Sequence, residues 1–354
     1  MKDSGILSFG KDLGKGAYGA IKEVKTNISY KPMVSKLLYK KINDTVDLKD
    51  ILEFRGPNIV KIFRILNATV NNKNYSMVLM EKASLKDLSV LHDYYINHNL
   101  LKLLHNPFIQ IISENFSRFY AQQLISSLVT LENYSYVHLD IKPQNILIDF
   151  NIVLKLCDFS LLTDIKDKQL IKIAGGTKNY VGPEYYTERK MKSEYAKMQD
   201  YYGFGAILYY LKFGENLLKY KTHKTTKKEE KKQKDKKKES IQKDLIANEI
   251  IEQIKARTIY IKSRKELDLN FINFLCGLIE IDYHTRSNFE KIYRNKWVNT
   301  EKQYLNNITS NNEGDEEKLI MELQKADFLK AFIKAPKRKR ILFKKDSYRI
   351  LDDK

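Results

Sequence analysis

Apolar and polar positions alternate through residues 8–83, and from Ser84 the period lengthens to that of a helix. "LSFGKDLGKGAYGAIKEVKTN" predicts two strands joined by a glycine turn, and "KPMVSKLLYKK" predicts a third. "DLKDILEFR" predicts a short helix stopped by Gly56-Pro57. "NIVKIFRILNATVNNKNYSMVLME" alternates as a hairpin with its polar turn at Asn71–Asn74. Further on, Phe116, Phe119, Tyr120, Leu124, Leu128 and Leu131 recur at helical spacing and predict one core-facing stripe. "NILID" and "VLKLCDF" predict two short strands around a turn at Phe150-Asn151. The remainder reads as helix to about Val298, interrupted by a lysine-rich run at 219–240. The expected class is α+β and bilobal. A small β-rich lobe spans 8–83, a larger helical lobe 84–298, and a basic tail 299–354, with the hinge near Glu81–Ser84.

Composition narrows this picture. A chain of 354 residues with 43% hydrophobic content has ample material for a core of that size. Cys157 and Cys276 are its two cysteines, too few for a disulfide framework, which predicts a reducing compartment. Met1–Gly10 shows no charged-then-apolar leader and reads as a cytosolic start. The longest apolar stretch, Tyr201–Leu211, carries two glycines and is too short to span a bilayer. The expected location is therefore cytoplasmic, with a four-residue basic run at Lys337–Arg340 as a candidate nuclear-import signal.

The net charge of +19 sits mostly in two places. Lys219–Ser240 holds eleven lysines against four acids, and Lys334–Lys345 holds seven basic residues and no acids, which leaves about +5 for the rest. Both runs lie outside the predicted fold and lack interleaved aromatics, so nucleic acid is not expected as the main partner. The insert reads as a solvated, disordered loop, with docking of an acidic partner as its sharper reading. In the tail, Leu319, Leu323, Ala326, Leu329 and Ile333 predict a helix packed on the body.

Three elements carry candidate chemistry. Gly14-Lys15-Gly16-Ala17-Tyr18-Gly19-Ala20-Ile21 is a GxGxxG between two predicted strands, where glycines let backbone N–H groups approach phosphate oxygens. A dinucleotide fold would need a helix to follow, and "AIKEVKTN" reads as a strand. Lys36 lies on the next strand among apolar neighbours. The third element is "YVHLDIKPQNILIDFNIVLKLCDFS", Tyr136 to Ser160. Here Asp140 is a candidate proton acceptor with Lys142 beside it, while Asn145 and Asp158 are candidate Mg²⁺ ligands. A single loop aspartate is commonly a cap, but four matched positions in one window are not.

These motifs, in this order, resemble a eukaryotic-type protein kinase across roughly residues 8–298. The resemblance implies a serine/threonine protein kinase using ATP and Mg²⁺ on a protein substrate. Gly14, Lys15, Gly16, Ala17, Gly19 and Ile21 would cover the nucleotide, and Lys36 would pair with its α- and β-phosphates. Met80 would be the gatekeeper, Glu81 and Ala83 would offer backbone groups to adenine, and Asp87 would reach the ribose. Asp140 matches the catalytic base, Lys142 its companion cation, and Asn145 and Asp158 the metal ligands. In "GGTKNYVGPE", Thr177 falls near the base and Glu184 is matched to Arg286, while Asp200 would brace the catalytic loop.

Three positions depart from the family pattern. Leu139 stands where an arginine that receives an activation-loop phosphate is expected, and Asp164–Gly176 contains no Ser, Thr or Tyr. The two absences agree, and they predict a loop held by packing through Leu170, Ile171 and Ile173. Ser160 replaces a glycine and leaves the Asp158 carboxylate intact. The helix glutamate that should pair with Lys36 falls on Asp47, with Asp50 one turn later as the other choice. Retention of Lys36, Asp140, Asn145 and Asp158 favours an active enzyme over the alternative, a silent kinase-like scaffold that binds partners through its basic insert and tail.

Overall fold

The computed structural model describes residues 6–16, 19–27, 32–38, 51–52, 54, 56–70, 73–83, 87–90, 114–149, 153–173, 175–188, 190–219, 236–299, 340–344 and 347–351. Strands β1 (Ile6–Gly16), β2 (Gly19–Thr26), β3 (Met33–Leu38), β4 (Ile62–Val70) and β5 (Lys73–Glu81) form one sheet in the order β1-β2-β3-β5-β4. Every neighbouring pair is antiparallel. Alternation does its work here: Val24, Met33 and Leu79 pack on one face, while Val34, Val78 and Met80 join the main core on the other. β4 and β5 pair as far as Val70 opposite Lys73, so Lys73 and Asn74, expected in the turn, belong to β5. The short helix before Gly56 is described at Ile51 and Leu52, and Ile51 and Phe54 are buried.

The large lobe begins with α1 (Glu114–Asn133), which buries Phe119, Tyr120, Leu124, Leu128 and Leu131 as its periodicity requires. Then come β6 (Tyr136–Val137), β7 (Ile146–Ile148), β8 (Leu154–Leu156), β9 (Thr163–Asp164), β10 (Leu170–Lys172), α2 (Glu184–Thr187) and β11 (Lys190–Lys192). The short strands pair as β6–β9, β7–β8 and β10–β11. Helices α3 (Ser193–Phe213), α4 (Lys236–Ser263), α5 (Leu269–Leu278), α6 (Phe289–Arg294) and α7 (Lys296–Asn299) complete the lobe. A hairpin of β12 (Arg340–Lys344) and β13 (Ser347–Leu351) lies in the tail, whose predicted helix at 319–333 is outside the described residues.

Two expectations are corrected. The stretch expected to be helical after β8 contains β9, β10 and β11, each of two or three residues and too short to show a period of its own. The lysine-rich run was expected to be disordered to Ser240, yet α4 starts at Lys236. Lys and Glu are good helix formers, and extending an existing helix costs far less than nucleating one. Ala247, Ile250, Ile254 and Ile261 then bury one side of α4.

α3 is the axis of the large lobe and is buried along most of its length. A Cβ on its Gly203 would lie 2.9 Å from the Ile141 carbonyl oxygen, so glycine lets the loop after β6 rest directly on the helix. Among the described residues no helix is long and apolar enough to cross a membrane.

The lobes meet on β8. Val60 N donates to Leu156 O (2.9 Å), and Leu156 N donates to Asn58 O (2.9 Å). The buried Asn58 side chain donates to Leu154 O and to Gln123 Oε1, both at 3.0 Å, and Gln123 Oε1 also accepts from Leu154 N. Lys155 Nζ reaches Glu81 Oε1 at 3.0 Å. All three residues of β8 thus hold the small lobe.

Candidate active site

The loop between β6 and β7 is pinned from below by α3. Asp200 gives one carboxylate oxygen to each of two backbone N–H groups, His138 (2.7 Å) and Leu139 (2.8 Å). These bonds hold Leu139 in the left-handed region, φ 62°, a conformation that costs a branched residue about 1–2 kcal/mol. Burial pushes the Asp200 carboxyl up to about 7, against the lowering effect of its two N–H donors. The His138 ring is also buried. Its Nε2 lies 2.9 Å from the Cys157 carbonyl oxygen, and its Nδ1 accepts from Asp140 N. Burial lowers its pKa, consistent with a neutral ring protonated on Nε2.

Asp140 is buried among donors. Lys142 Nζ lies 2.6 Å from its Oδ2, and Thr177 Oγ1 donates to its Oδ1 at 2.8 Å. Lys142 Nζ also donates to Thr177 Oγ1 (2.9 Å). Asn145 Nδ2 donates to the Asp140 carbonyl oxygen (2.8 Å) and to Oδ2 (3.0 Å). Thr177 reaches this cluster because Gly176, at φ 96°, passes close over the loop. A Cβ there would sit 3.0 Å from Leu139 O and 2.6 Å from Val181 Cγ1.

Asp158 follows β8 in a left-handed conformation, and Lys36 Nζ lies 2.5 Å from its Oδ1. Burial alone would raise this carboxyl, but the Lys36 ammonium and a hydrogen bond from Ser160 outweigh it and hold the pKa below the ordinary carboxylate value. Cys157 N donates to Asn145 O (2.9 Å) at the open end of the β7–β8 hairpin, bringing Asn145 beside Asp158. Both side-chain hydrogen bonds of Asn145 use its nitrogen, which turns its amide oxygen into the available metal donor. One carboxylate and one amide oxygen suit Mg²⁺, which keeps waters and shares phosphate oxygens. Among the described residues no cluster of three or more His, Cys, Asp or Glu could hold a metal alone. The donors therefore fit a nucleotide-shared ion and not an all-protein cage.

The glycine motif occupies the tip of the β1–β2 hairpin, with Gly14 opposite Ile21, Lys15 opposite Ala20 and Gly16 opposite Gly19. Ala17 lies outside the described residues. A strand follows, as expected, and Ile21 is the cross-strand partner of Lys36. Met80 lines an apolar cavity with Val60, Val78, Lys36, Asp158 and Phe159. Glu81 commits its N–H to Lys61 O (3.0 Å) and its side chain to Lys61 N and Lys155 Nζ. Ala83 lies just beyond β5. Asp87 Oδ1 accepts from Ser89 N, Ser89 Oγ and Val90 N, the work of a helix cap. Asp47 and Asp50 are outside the described residues, and the ion-pair partner seen for Lys36 is Asp158.

Sequence reasoning gave no role to His138, Asn58 or Gln123. His138 had a signal, two residues before Asp140. Asn58 and Gln123 had none, because their partner segments lie far away in the chain.

The segment after Asp158 is anchored by side chains. Val137, Leu139, Ile171 and Ala196 form a separate buried cluster, flanked by Leu161 and Ile165. β10 pairs with β11, and Ser193 N donates to Gln169 O (3.1 Å). Ile171 and Ile173 are buried as expected, but Leu170 is 56% exposed because it occupies the outer face of β10. Glu184 and Arg286 meet in a fully buried two-pronged pair at 2.5 and 3.0 Å.

The protein kinase domain family matches residues 7–298. The human serine/threonine-protein kinase MRCK alpha is 29% identical over 210 residues, 58% of this chain and 12% of its own length. The Caenorhabditis elegans serine/threonine-protein kinase mrck-1 is 28% identical over 207 residues, with the same two shares. The carbon catabolite-derepressing protein kinase of Candida glabrata is 26% identical over 208 residues, 56% of this chain and 30% of its own length. The chain thus spans only a minor part of each of these proteins.

Proposed function

Because the chain belongs to the protein kinase domain family, we propose that it transfers the γ-phosphoryl group of ATP to serine or threonine hydroxyls of a protein substrate. The observation that carries this reading is the Asp140 carboxylate, set between Lys142, Thr177 and Asn145 with the Lys36–Asp158 pair on the other side of Asn145. Asp140 accepts the proton of the attacking hydroxyl, and Lys142 and Thr177 fix the carboxylate's orientation. Asn145 and Asp158 would hold Mg²⁺, which when bound neutralises charge on the phosphates. Lys36, on a sheet shared with the glycine hairpin, supplies a cation to the phosphate groups.

Asp140→Asn should lower phosphorylation of a generic basic protein by about a hundredfold or more, because an amide cannot accept that proton. Wild-type protein without transfer activity would favour the scaffold reading, and an Asp140→Asn variant of full activity would remove Asp140 as the base.

The reading extends to control of the reaction. The Leu139–Ile171 packing takes the place that an arginine and a phosphate would otherwise fill, so the enzyme works without activation-loop phosphorylation. Activity should therefore be unchanged after complete dephosphorylation checked by intact mass. A large loss that is restored by phosphate on Thr163 would overturn this point.

A further inference from the structure

β10 and β11 make a two-stranded ribbon with one buried and one open face. Ile171 and Met191 point inward, and Ile171 joins the cluster that contains Leu139, the residue before Asp140. The outward positions are Leu170, Lys172, Lys190 and Lys192, all exposed. In the antiparallel register Lys172 stands directly opposite Lys190, and Leu170 opposite Lys192. Like charges placed directly across an antiparallel pair destabilise it. Among the described residues the ion-pair contact of Lys192 is a long one, to Glu194 at 3.9 Å. Among the described residues Lys172 and Lys190 have no ion-pair partner. The neighbouring Lys168 is already matched to Asp164, at 3.3 Å.

A ribbon that repels itself on its open face while bracing the catalytic loop on its inner face is arranged to respond to an anion. We infer that the Lys172–Lys190–Lys192 face docks an acidic segment of a protein partner or substrate, and that docking tightens the ribbon and with it the loop carrying Asp140. The inference rests on the kinase reading above and adds a partner chemistry and a control point to it. Charge complementarity selects the occupant: three ammonium groups on one short ribbon call for carboxylates, and the exposed Leu170 offers them an apolar neighbour. Extended acidic peptide matches the ribbon in shape, since its carboxylates alternate at strand spacing. Binding of anything that prefers the paired ribbon shifts the equilibrium toward it.

The test uses the full chain, a labelled poly-glutamate peptide and an uncharged acceptor peptide. Poly-glutamate should bind with an affinity that falls as salt rises, in part through the basic runs at 219–240 and 334–345, and the Lys172→Gln/Lys190→Gln variant should lose the part of that binding that acts on the ribbon. Unlabelled poly-glutamate should raise acceptor phosphorylation by wild type about two- to fivefold, the range that relief of one like-charge pair supports. In the Gln variant the rate without peptide should rise by a similar factor and no longer respond, whereas Lys172→Arg should respond as wild type does. Hydrogen exchange at the amides of Leu170–Lys172 should slow with poly-glutamate in wild type alone. Unchanged exchange at Leu170–Lys172 when poly-glutamate binds overturns the inference, as does an equal slowing of that exchange in the Gln variant or a slowing by anionic vesicles and not by the peptide. If no peptide is phosphorylated at all, the kinase reading fails, while the exchange measurement still decides this one.

Discussion

Asp200 offers each of its oxygens to one backbone N–H and so sets the shape of the loop that carries Asp140. Its carboxyl, ordinarily near 3.8, is pushed to about 7 by burial. With the folded value above the unfolded one, the folded state binds more protons between these limits. The group's contribution to stability is therefore full at acid pH and is lost as pH rises through the folded value. Asp200→Asn removes this dependence, and its NH₂ group cannot accept one of the two N–H bonds. The destabilisation caused by the substitution should be roughly 2–3 kcal/mol larger at about pH 5 than at about pH 8. Urea unfolding of both proteins at the two pH values measures it, and an equal difference at both would show that Asp200 does not titrate there. The sequence made position 139 legible as a leucine that packs on an apolar loop. It did not show that Leu139 adopts a left-handed conformation, because the carboxylate that imposes it lies on a helix far along the chain.

The same contrast recurs among elements. β1 to β5 were legible because each alternates over six or more residues, and α1 because its apolar stripe persists for several turns. The ribbon β10–β11 was not, since strands of three residues owe their form to pairing across the chain and not to a pattern along it. The candidate site was most legible in one continuous window, Tyr136 to Ser160, while Lys36, Thr177 and Asp200 outside it were reached through the resemblance. α2 shows what sequence can name but not price. Arg286 spends its donors on both oxygens of Glu184 and on the carbonyls of Met198, Glu280 and Ile281. Arg286→Ala leaves the Glu184 carboxylate buried without its cation and should cost about 3–5 kcal/mol. Arg286→Lys should restore little, because an ammonium cannot reproduce the planar fork. Replacing Glu184 and Arg286 together by methionine should recover much of the loss, and a shift in urea midpoint reads all three variants. A double variant as unstable as Arg286→Ala would show that the carbonyl contacts, and not the unpaired charge, dominate.

Across the whole molecule, β8 is one place where the small lobe is fastened to the large one, beside the packing of Phe54 on Tyr134, Tyr136 and Phe159. Leu154 is held by Asn58, Lys155 by Glu81, and Leu156 by Val60 and Asn58 again. Such an attachment is a fulcrum. Asp158 lies two residues beyond it, and Lys36 rests against Asp158, so both are on the short arm of the lever. The β1–β2 tip with Gly14, Gly16 and Gly19 is at the sheet's other edge, on the long arm. A rotation of the small lobe about β8 therefore sweeps the glycine tip through a wide arc while displacing the Lys36–Asp158 pair little. Opening of the tip thus leaves the backbones of Lys36 and Asp158 nearly where they are, and their side chains alone have to turn to new partners.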